Sequence, residues 1–448
     1  MKDKCGVVAV KDPSDIAALK AYYGLYALQH RGQEGAGIVS FDGFKEHTKK
    51  GLGLVGEVFR KGDLKELTGK SAIGHVRYPT SGSVNEKTVH PFNVNTSQGF
   101  LALGHNGNLV NADSIRDDLE KAGHVFTTDT DTEVIVHDIA RNLIHSDLPD
   151  AIGKTVNRIK GAYSITLIYN GKVVALRDPQ GIRPLCLGKL EESYLAASES
   201  VAIDVVGGDF IRDVKPGEMV VLEEDGIQSY QLAEPNPAHC FFEYVYFARP
   251  DSTLDGKSVY GARRRLGELL YENHGVRTDL VSPVPDSGRA FAAGYARAGD
   301  VEYIESMMKN RYVGRTFIMP SQETRERAVR LKLNPIKSNI KGKKVTIIDD
   351  SIVRGTTSGQ LIAMLRNNGA REVHVRIGSP PIISPCNLGI DMATKKELMA
   401  SKKSVKEIKR SIGADSLEYL TIEEISQVLD IPLRNLCTGC VTGNYPVS

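Results

Sequence analysis

Three groups of chemically capable side chains stand out along this chain. The densest is the tract Val345-Thr346-Ile347-Ile348-Asp349-Asp350-Ser351-Ile352-Val353-Arg354-Gly355-Thr356-Thr357-Ser358. Two adjacent carboxylates follow an apolar run, and small hydroxylated residues then surround a glycine. Free backbone amides and the positive end of a following helix suit a phosphate group. Acids ahead of such a cradle suit a sugar with vicinal hydroxyls and an attendant divalent cation. This is not the G-x-x-x-x-G-K-[ST] loop, because the acids come first and no Lys follows. The plain alternative is a strand end with solvated acids.

The second group begins at Cys5, which only four polar residues precede. A Cys ahead of an apolar strand is usually a small buried hydrophobe. Removal of residues 1–4 would make it N-terminal, and its α-amino group, with a pKa of about 8, would then serve as base for its own thiol. Arg77 offers a fork for a substrate α-carboxylate, Asp131 a partner for an α-ammonium, and Asn106 with the Gly107 amide donors for an oxyanion. These are the needs of glutamine hydrolysis. The third group is Cys240, Cys386 and the pair Cys437-Thr438-Gly439-Cys440. C-x-x-C is a metal-ligand spacing; by spacing alone, zinc, an iron–sulfur cluster and unrelated free thiols all stay open. Cys186 sits inside an apolar strand and reads as core.

The elements that must position these groups follow from periodicity. Cys5 leads into the strand 6–10, and residues 16–30 carry apolar positions at helical spacing. From Ile159 to Val221 strands alternate over 162–169, 172–177, 185–188, 193–197 and 218–222, with a turn-rich link at 178–185. Two prolines near 231–239 mark a domain boundary. Beyond it, strands at 280–284, 345–349 and 372–379 alternate with helices at 290–297 and 358–368, a doubly wound α/β pattern. The turn Val284-Pro285-Asp286-Ser287-Gly288-Arg289 lies between a strand and a helix, where its amides suit pyrophosphate.

Composition sets the bounds. A chain of 448 residues suggests two or three domains. A net charge of +2 gives no argument for nucleic acid or an anionic membrane. No apolar run approaches the length that spans a bilayer, and the polar N-terminus shows no signal peptide. A cytoplasmic protein is expected. Six cysteines in so long a chain do not form a disulfide framework.

The tract at 349–357 resembles the loop of type I phosphoribosyltransferases that binds phosphoribosylpyrophosphate (PRPP). Cys5, Gln29-His30-Arg31-Gly32, His75-Val76-Arg77, Asn106-Gly107 and Asp131 resemble the motifs of class II, N-terminal-nucleophile glutamine amidotransferases. Together with the cysteines, the order of motifs resembles the iron–sulfur-containing subgroup of glutamine–PRPP amidotransferases. The resemblance implies an α+β αββα sandwich followed by an α/β domain on a parallel sheet. It divides the chain into a cleaved leader (1–4), an amidotransferase domain (5–234) and a phosphoribosyltransferase domain with a cluster-binding C-terminal segment (235–448).

By the same resemblance, Cys5, Asn106 and Gly107 are catalytic, and Arg77, Thr80, Asp131 and Arg31 hold glutamine. PRPP contacts are implied at Asp349, Asp350, Ser351, Val353, Arg354, Gly355, Thr356, Thr357, Ser287, Gly288, Arg311, Lys332 and Tyr260. Magnesium is implied at Ser287, Asp349 and Asp350, and a [4Fe–4S] cluster at Cys240, Cys386, Cys437 and Cys440. The basic stretch from Arg311, with Arg315, Gln322, Arg325 and Lys332, resembles a lid over PRPP; a solvated loop is the plain alternative. His30, His75 and His105 are expected to be structural. Asn387-Leu388 stands where relatives often carry aromatics. Inhibition by purine nucleotides and a homotetramer are further implications. Two competitors, a regulatory PRPP-binding module and an amidotransferase with another acceptor, conflict respectively with the intact Cys5, Arg77 and Asp131 and with the acid pair.

Overall fold

The first strand, Gly6–Lys11, shows the logic of the N-terminal half. Val7 and Ala9 join one apolar cluster while Val8 and Val10 join another, the period of two that a strand buried on both faces requires. The computed structural model describes residues 5–60, 62–78, 86–310, 312, 332–390, 392 and 394–447. The leader, Thr80, Arg311, Arg315, Gln322 and Arg325 lie outside the described residues.

Seven antiparallel strands form one sheet in the order Asp209–Asp213, Cys186–Leu190, Ser193–Ala197, Gly6–Lys11, Ser71–Arg77, Gly35–Phe41 and Glu46–Leu52. Six more form a second: Ile227–Gln231, Glu218–Leu222, Lys172–Arg177, Gly161–Tyr169, Gly99–Leu109 and Phe92–Thr96. Their inner faces share a core of Val7, Ala9, Ile73, Phe100, Ala102 and neighbours. Helices Ala17–Ala27 and Val201–Val206 cover the first sheet, and Ala112–Lys121, Asp131–Leu143 and Leu148–Val156 cover the second. The layers are therefore αββα, as expected. Strands Asp209–Asp213 and Ile227–Gln231 were not foreseen. Both are edge strands with mostly solvent-facing side chains, so no apolar alternation marks them.

The second half is built on four parallel strands in sequential order, Leu280–Pro283, Lys344–Asp349, Glu372–Ile377 and Ser416–Tyr419. Helices Val259–His274 and Arg289–Gly299 bury one face of this sheet, and Thr356–Asn367 and Val405–Ile412 the other. The run Val345–Ile348 is buried because both faces of a parallel sheet are covered. Between the halves the chain runs beside the sandwich rather than hanging free: the Asn236 and Ala238 amides donate to the Pro179 and Gln180 carbonyls at 2.8 and 2.7 Å. The core that follows, around Phe241 and Phe242, includes Ala162 and Ile182 of the sandwich. Among the described residues no helix is long and apolar enough to cross a membrane.

Candidate active sites

One end of the sandwich gathers the thiol group. Cys5 precedes the strand whose Gly6 pairs with Val76, which sets it beside Arg77 at the end of the neighbouring strand. Its Sγ lies 3.6 Å from the Tyr78 carbonyl. Burial pushes the thiol up, and the Arg77 cation works against that. His75 Nε2 donates to the His105 carbonyl at 3.0 Å, tying this sheet to Gly99–Leu109, the strand that carries Asn106 and Gly107. Asn106 is 1% exposed, and its Nδ2 has no partner among the described residues. A buried amide left without an acceptor costs free energy, so its retention fits an acceptor that arrives with substrate. Gly107 is required by packing: a Cβ there would meet the Ala162 carbonyl oxygen at 1.8 Å.

Arg77 is 5% exposed and donates to the Thr88 carbonyl; burial holds its guanidinium below the ordinary value. Gly32 explains the motif upstream of it, because a Cβ would meet Val76 C at 2.5 Å and Arg77 N at 2.6 Å. Asp131 opens the helix Asp131–Leu143 and accepts from the Leu109 amide at 2.9 Å. Burial opposes its charge, yet His105, 3.7 Å away, and the Leu109 and Thr132 amides hold its carboxyl below the usual range. His30 and His105 also have partners, Glu199 at 2.7 Å and Thr132 at 3.2 Å.

Arg31 has partners that its place in the sequence does not announce. It is 1% exposed and lies between two carboxylates, Glu199 on its Nε and Glu243 on Nη2 at 2.6 Å. Its donors are therefore engaged in a buried ion-pair chain and offer no open fork to a substrate carboxylate. Sequence reasoning missed the other members. Glu199 also accepts from the Ser252 hydroxyl at 2.7 Å and the Arg249 amide at 2.8 Å. Glu243 continues to Arg183 at 3.4 Å, and Arg183 donates to the Leu388 carbonyl. No local pattern could have announced pairs so distant in sequence.

The acid pair ends the strand Lys344–Asp349. Burial and the neighbouring carboxyl push Asp349 well above the usual range. Burial also raises Asp350, opposed by the hydroxyls of Ser287 and Ser351 and by Arg263. Ser351 Oγ lies 2.5 Å from Asp350. A half-buried Asp349 carboxyl crowding the buried Asp350 carboxyl is a set that a divalent cation with oxygen preference fits. Ser287 reaches the pair because Gly288 is a glycine: a Cβ there would meet the Ile348 carbonyl at 2.3 Å. Gly355, at φ +71°, starts the helix Thr356–Asn367 two residues earlier than its sequence pattern suggests. The first turn leaves the amides of Thr356 to Ser358 without intrahelical acceptors. Val353 accepts from the Met399 amide at 2.9 Å, and Arg354 pairs with Glu397 at 3.0 Å.

Two expected PRPP contacts lie at the periphery. Lys332 is exposed at the foot of the hairpin Met307–Lys309/Leu333–Pro335, whose Lys309 pairs with Asp286 at 2.6 Å. Tyr260 is half exposed and lines a cavity with Arg289 and Tyr303.

The four remaining cysteines converge from three segments. Cys240 and Cys437 are register partners in a short parallel pair. The Leu388 amide points at Cys386 Sγ, 3.3 Å away, and the Cys440 carbonyl accepts from Ile383 and Ser384 at 2.9 and 3.1 Å. Every pair of the four thiols is within electrostatic reach. Burial and then the neighbouring sulfurs push Cys440 well up, and Cys437 reaches about 12. Among the described residues no three His, Cys, Asp or Glu side chains already stand at coordinating spacing. The donor set nonetheless fits a thiolate-bound metal group, because four soft ligands share one largely buried space. Cys186 donates to the Ala197 carbonyl at 3.3 Å in the core, as expected.

Comparison with known proteins agrees with this layout. A family model described as a glutamine amidotransferase domain matches residues 83–205. The amidophosphoribosyltransferase of Methanocaldococcus jannaschii is 49% identical, the match covering 99% of this chain and 97% of that protein. The Bacillus subtilis amidophosphoribosyltransferase is 46% identical, covering 100% and 94%. A solved structure of glutamine PRPP amidotransferase from B. subtilis, complexed with ADP and GMP, superposes with a TM-score of 0.94 at 46% identity, covering 99% of this chain and 98% of that one. Likeness of this extent in both sequence and fold leaves one assignment: the chain belongs to the amidophosphoribosyltransferase family.

Proposed function

We propose that this protein converts PRPP, glutamine and water to 5-phosphoribosylamine, glutamate and pyrophosphate, the first committed step of purine synthesis. The observation that carries the reading is the coexistence, in one chain, of the orphaned Asn106 amide on the strand that His75 ties to the Cys5 sheet and the acid pair Asp349-Asp350 before a phosphate-type helix start. Removal of Met1–Lys4 frees the Cys5 α-amino group, which takes the thiol proton. The thiolate attacks the glutamine amide carbon, and the oxyanion is held by Asn106 Nδ2 and the Gly107 amide. Collapse expels ammonia and leaves a thioester, which water hydrolyses to glutamate. Arg77 and Asp131 hold the α-carboxylate and α-ammonium groups.

Ammonia then passes internally to C1 of PRPP. It forms the C–N bond as the C–O bond to pyrophosphate breaks, and the surplus proton leaves with solvent. Asp349 and Asp350 orient the ribose hydroxyls, the amides of the 351–358 segment the 5-phosphate, and the Ser287-Gly288 turn the pyrophosphate. Asp349, Asp350 and Ser287 would hold a magnesium ion, which would supply neutralisation of the pyrophosphate charge. A [4Fe–4S] cluster on Cys240, Cys386, Cys437 and Cys440 would staple the C-terminal segment to both halves; its part is structural. Purine nucleotides as inhibitors are supported by the ADP and GMP in the B. subtilis relative, and we expect a homotetramer. The test is stoichiometry: glutamate and pyrophosphate are expected to form one for one with glutamine, PRPP and magnesium present. Glutamate without pyrophosphate contradicts the reading.

A further inference from the structure

The segment that leaves the acid-pair sheet returns to the thiol site. After the strand Glu372–Ile377, the Gly378 amide donates to the Asp349 carbonyl at 2.9 Å. The chain then passes Cys386, and Asn387 O accepts from Asn108 Nδ2 at 2.9 Å. Leu388 O accepts from Arg183 at the end of the buried ion-pair chain, and Leu388 and Ile390 are sunk in the core on either side. Between them, buried Gly389 adopts φ +96°. A Cβ on it would meet the carbonyl carbon and oxygen of Gly107 at 2.9 Å and its Cα at 3.2 Å. Backbone packed on backbone has no side-chain end to yield. The apolar anchors Leu388 and Ile390 and the Arg183 bond fix the loop from behind.

We propose that Gly389 is a positioning residue for glutamine hydrolysis: its bare backbone seats the Cα and carbonyl of Gly107 so that the N–H on the same residue, the oxyanion donor, is correctly aimed. This rests on the function proposed above. An oxyanion donor acts through alignment, and a displacement of an ångström or less costs up to about 100-fold in rate. The Gly389→Ala variant must either strain its φ or move Gly107. It is expected to lower glutamine-dependent kcat by about 10- to 100-fold, to leave the KM for glutamine within about threefold, and to keep 5-phosphoribosylamine synthesis from free ammonia close to wild type.

The control is Gly413→Ala, which bears a similar φ of +77° but has open space around it; both activities are expected to stay equal to wild type. Asn108→Ala removes the Asn387 tether without a clash and is expected to give the same kcat-only pattern at several-fold. It decides the matter alone if Gly389→Ala does not fold. Equal loss of the ammonia- and glutamine-dependent activities, or a Gly389→Ala enzyme indistinguishable from wild type, overturns the proposal. A wild-type enzyme that releases no glutamate from glutamine overturns the underlying function instead.

Discussion

Deleting the Asn106 amide separates catalysis from stability. In most buried positions, truncating an asparagine leaves its partners unpaired and costs about 1–3 kcal/mol. Asn106 Nδ2 has no such partner among the described residues, so Asn106→Ala loses packing but also removes an orphan donor. The two effects oppose, and the net change in stability is expected to be about 1 kcal/mol or less. Catalysis behaves differently. Loss of one oxyanion donor typically costs about 10²–10³ in kcat, or roughly 2.7–4 kcal/mol of transition-state stabilisation. The ground-state carbonyl makes little use of the donor, so KM for glutamine is expected to stay within about threefold. The assays are glutamate release under saturating glutamine, ammonia-dependent synthesis as an internal control, and thermal unfolding. A kcat within threefold of wild type would refute the oxyanion role. A large fall in the thermal midpoint with a raised KM would refute the claim that the amide is unpartnered in the resting protein.

Other consequences follow from the buried charges. Glu199→Ala leaves Arg31 fully buried with half of its counter-charge, and breaking such a pair costs about 3–5 kcal/mol; an unchanged thermal midpoint would contradict the ion-pair chain. Burial depresses His75 from 6.5 to about 3. A depressed histidine binds its proton more readily when unfolded, so stability present at neutral pH is lost as pH falls below about 6.5, reaching about 2 kcal/mol at pH 5. Asp178, raised by burial to about 6, acts oppositely over the same window, gaining stability on acidification. The readout is therefore the difference between wild type and His75→Gln on going from pH 7.5 to 5, with the variant expected to lose less. Equal losses in the two proteins would contradict the assignment. Anaerobically purified protein is expected to be brown with about four irons per chain, the content of one [4Fe–4S] cluster on four thiolates; colourless protein with stoichiometric zinc would sink the cluster.

How much of this was legible in the sequence depends on range. The 349–358 tract and the Ser287-Gly288 turn are local: acids, small residues and a helix start lie within a few positions, and the fold only had to bring two loops of one sheet together. The thiol site is scattered, but residue types betray it, since Cys5, Arg77, Asn106 and Asp131 have few plausible joint uses. Arg31 shows the limit. It sits in the run Gln29-His30-Arg31-Gly32, yet its partner Glu243 lies 212 residues away, and nothing local distinguishes a substrate fork from a buried structural pair. Gly389 was invisible for a similar reason, because a glycine demanded by the backbone of Gly107 looks like any loop glycine. The edge strands Asp209–Asp213 and Ile227–Gln231 lacked the one-sided burial that makes a strand readable.

The central claim is that one chain couples glutamine hydrolysis at Cys5 to amination of PRPP at Asp349-Asp350. Its most direct test is glutamate release from glutamine with and without PRPP and magnesium, on protein whose intact mass has been recorded. Strong activation by PRPP in protein lacking Met1–Lys4 is the predicted result. Hydrolysis indifferent to PRPP, or none despite a free N-terminal Cys5, would contradict it.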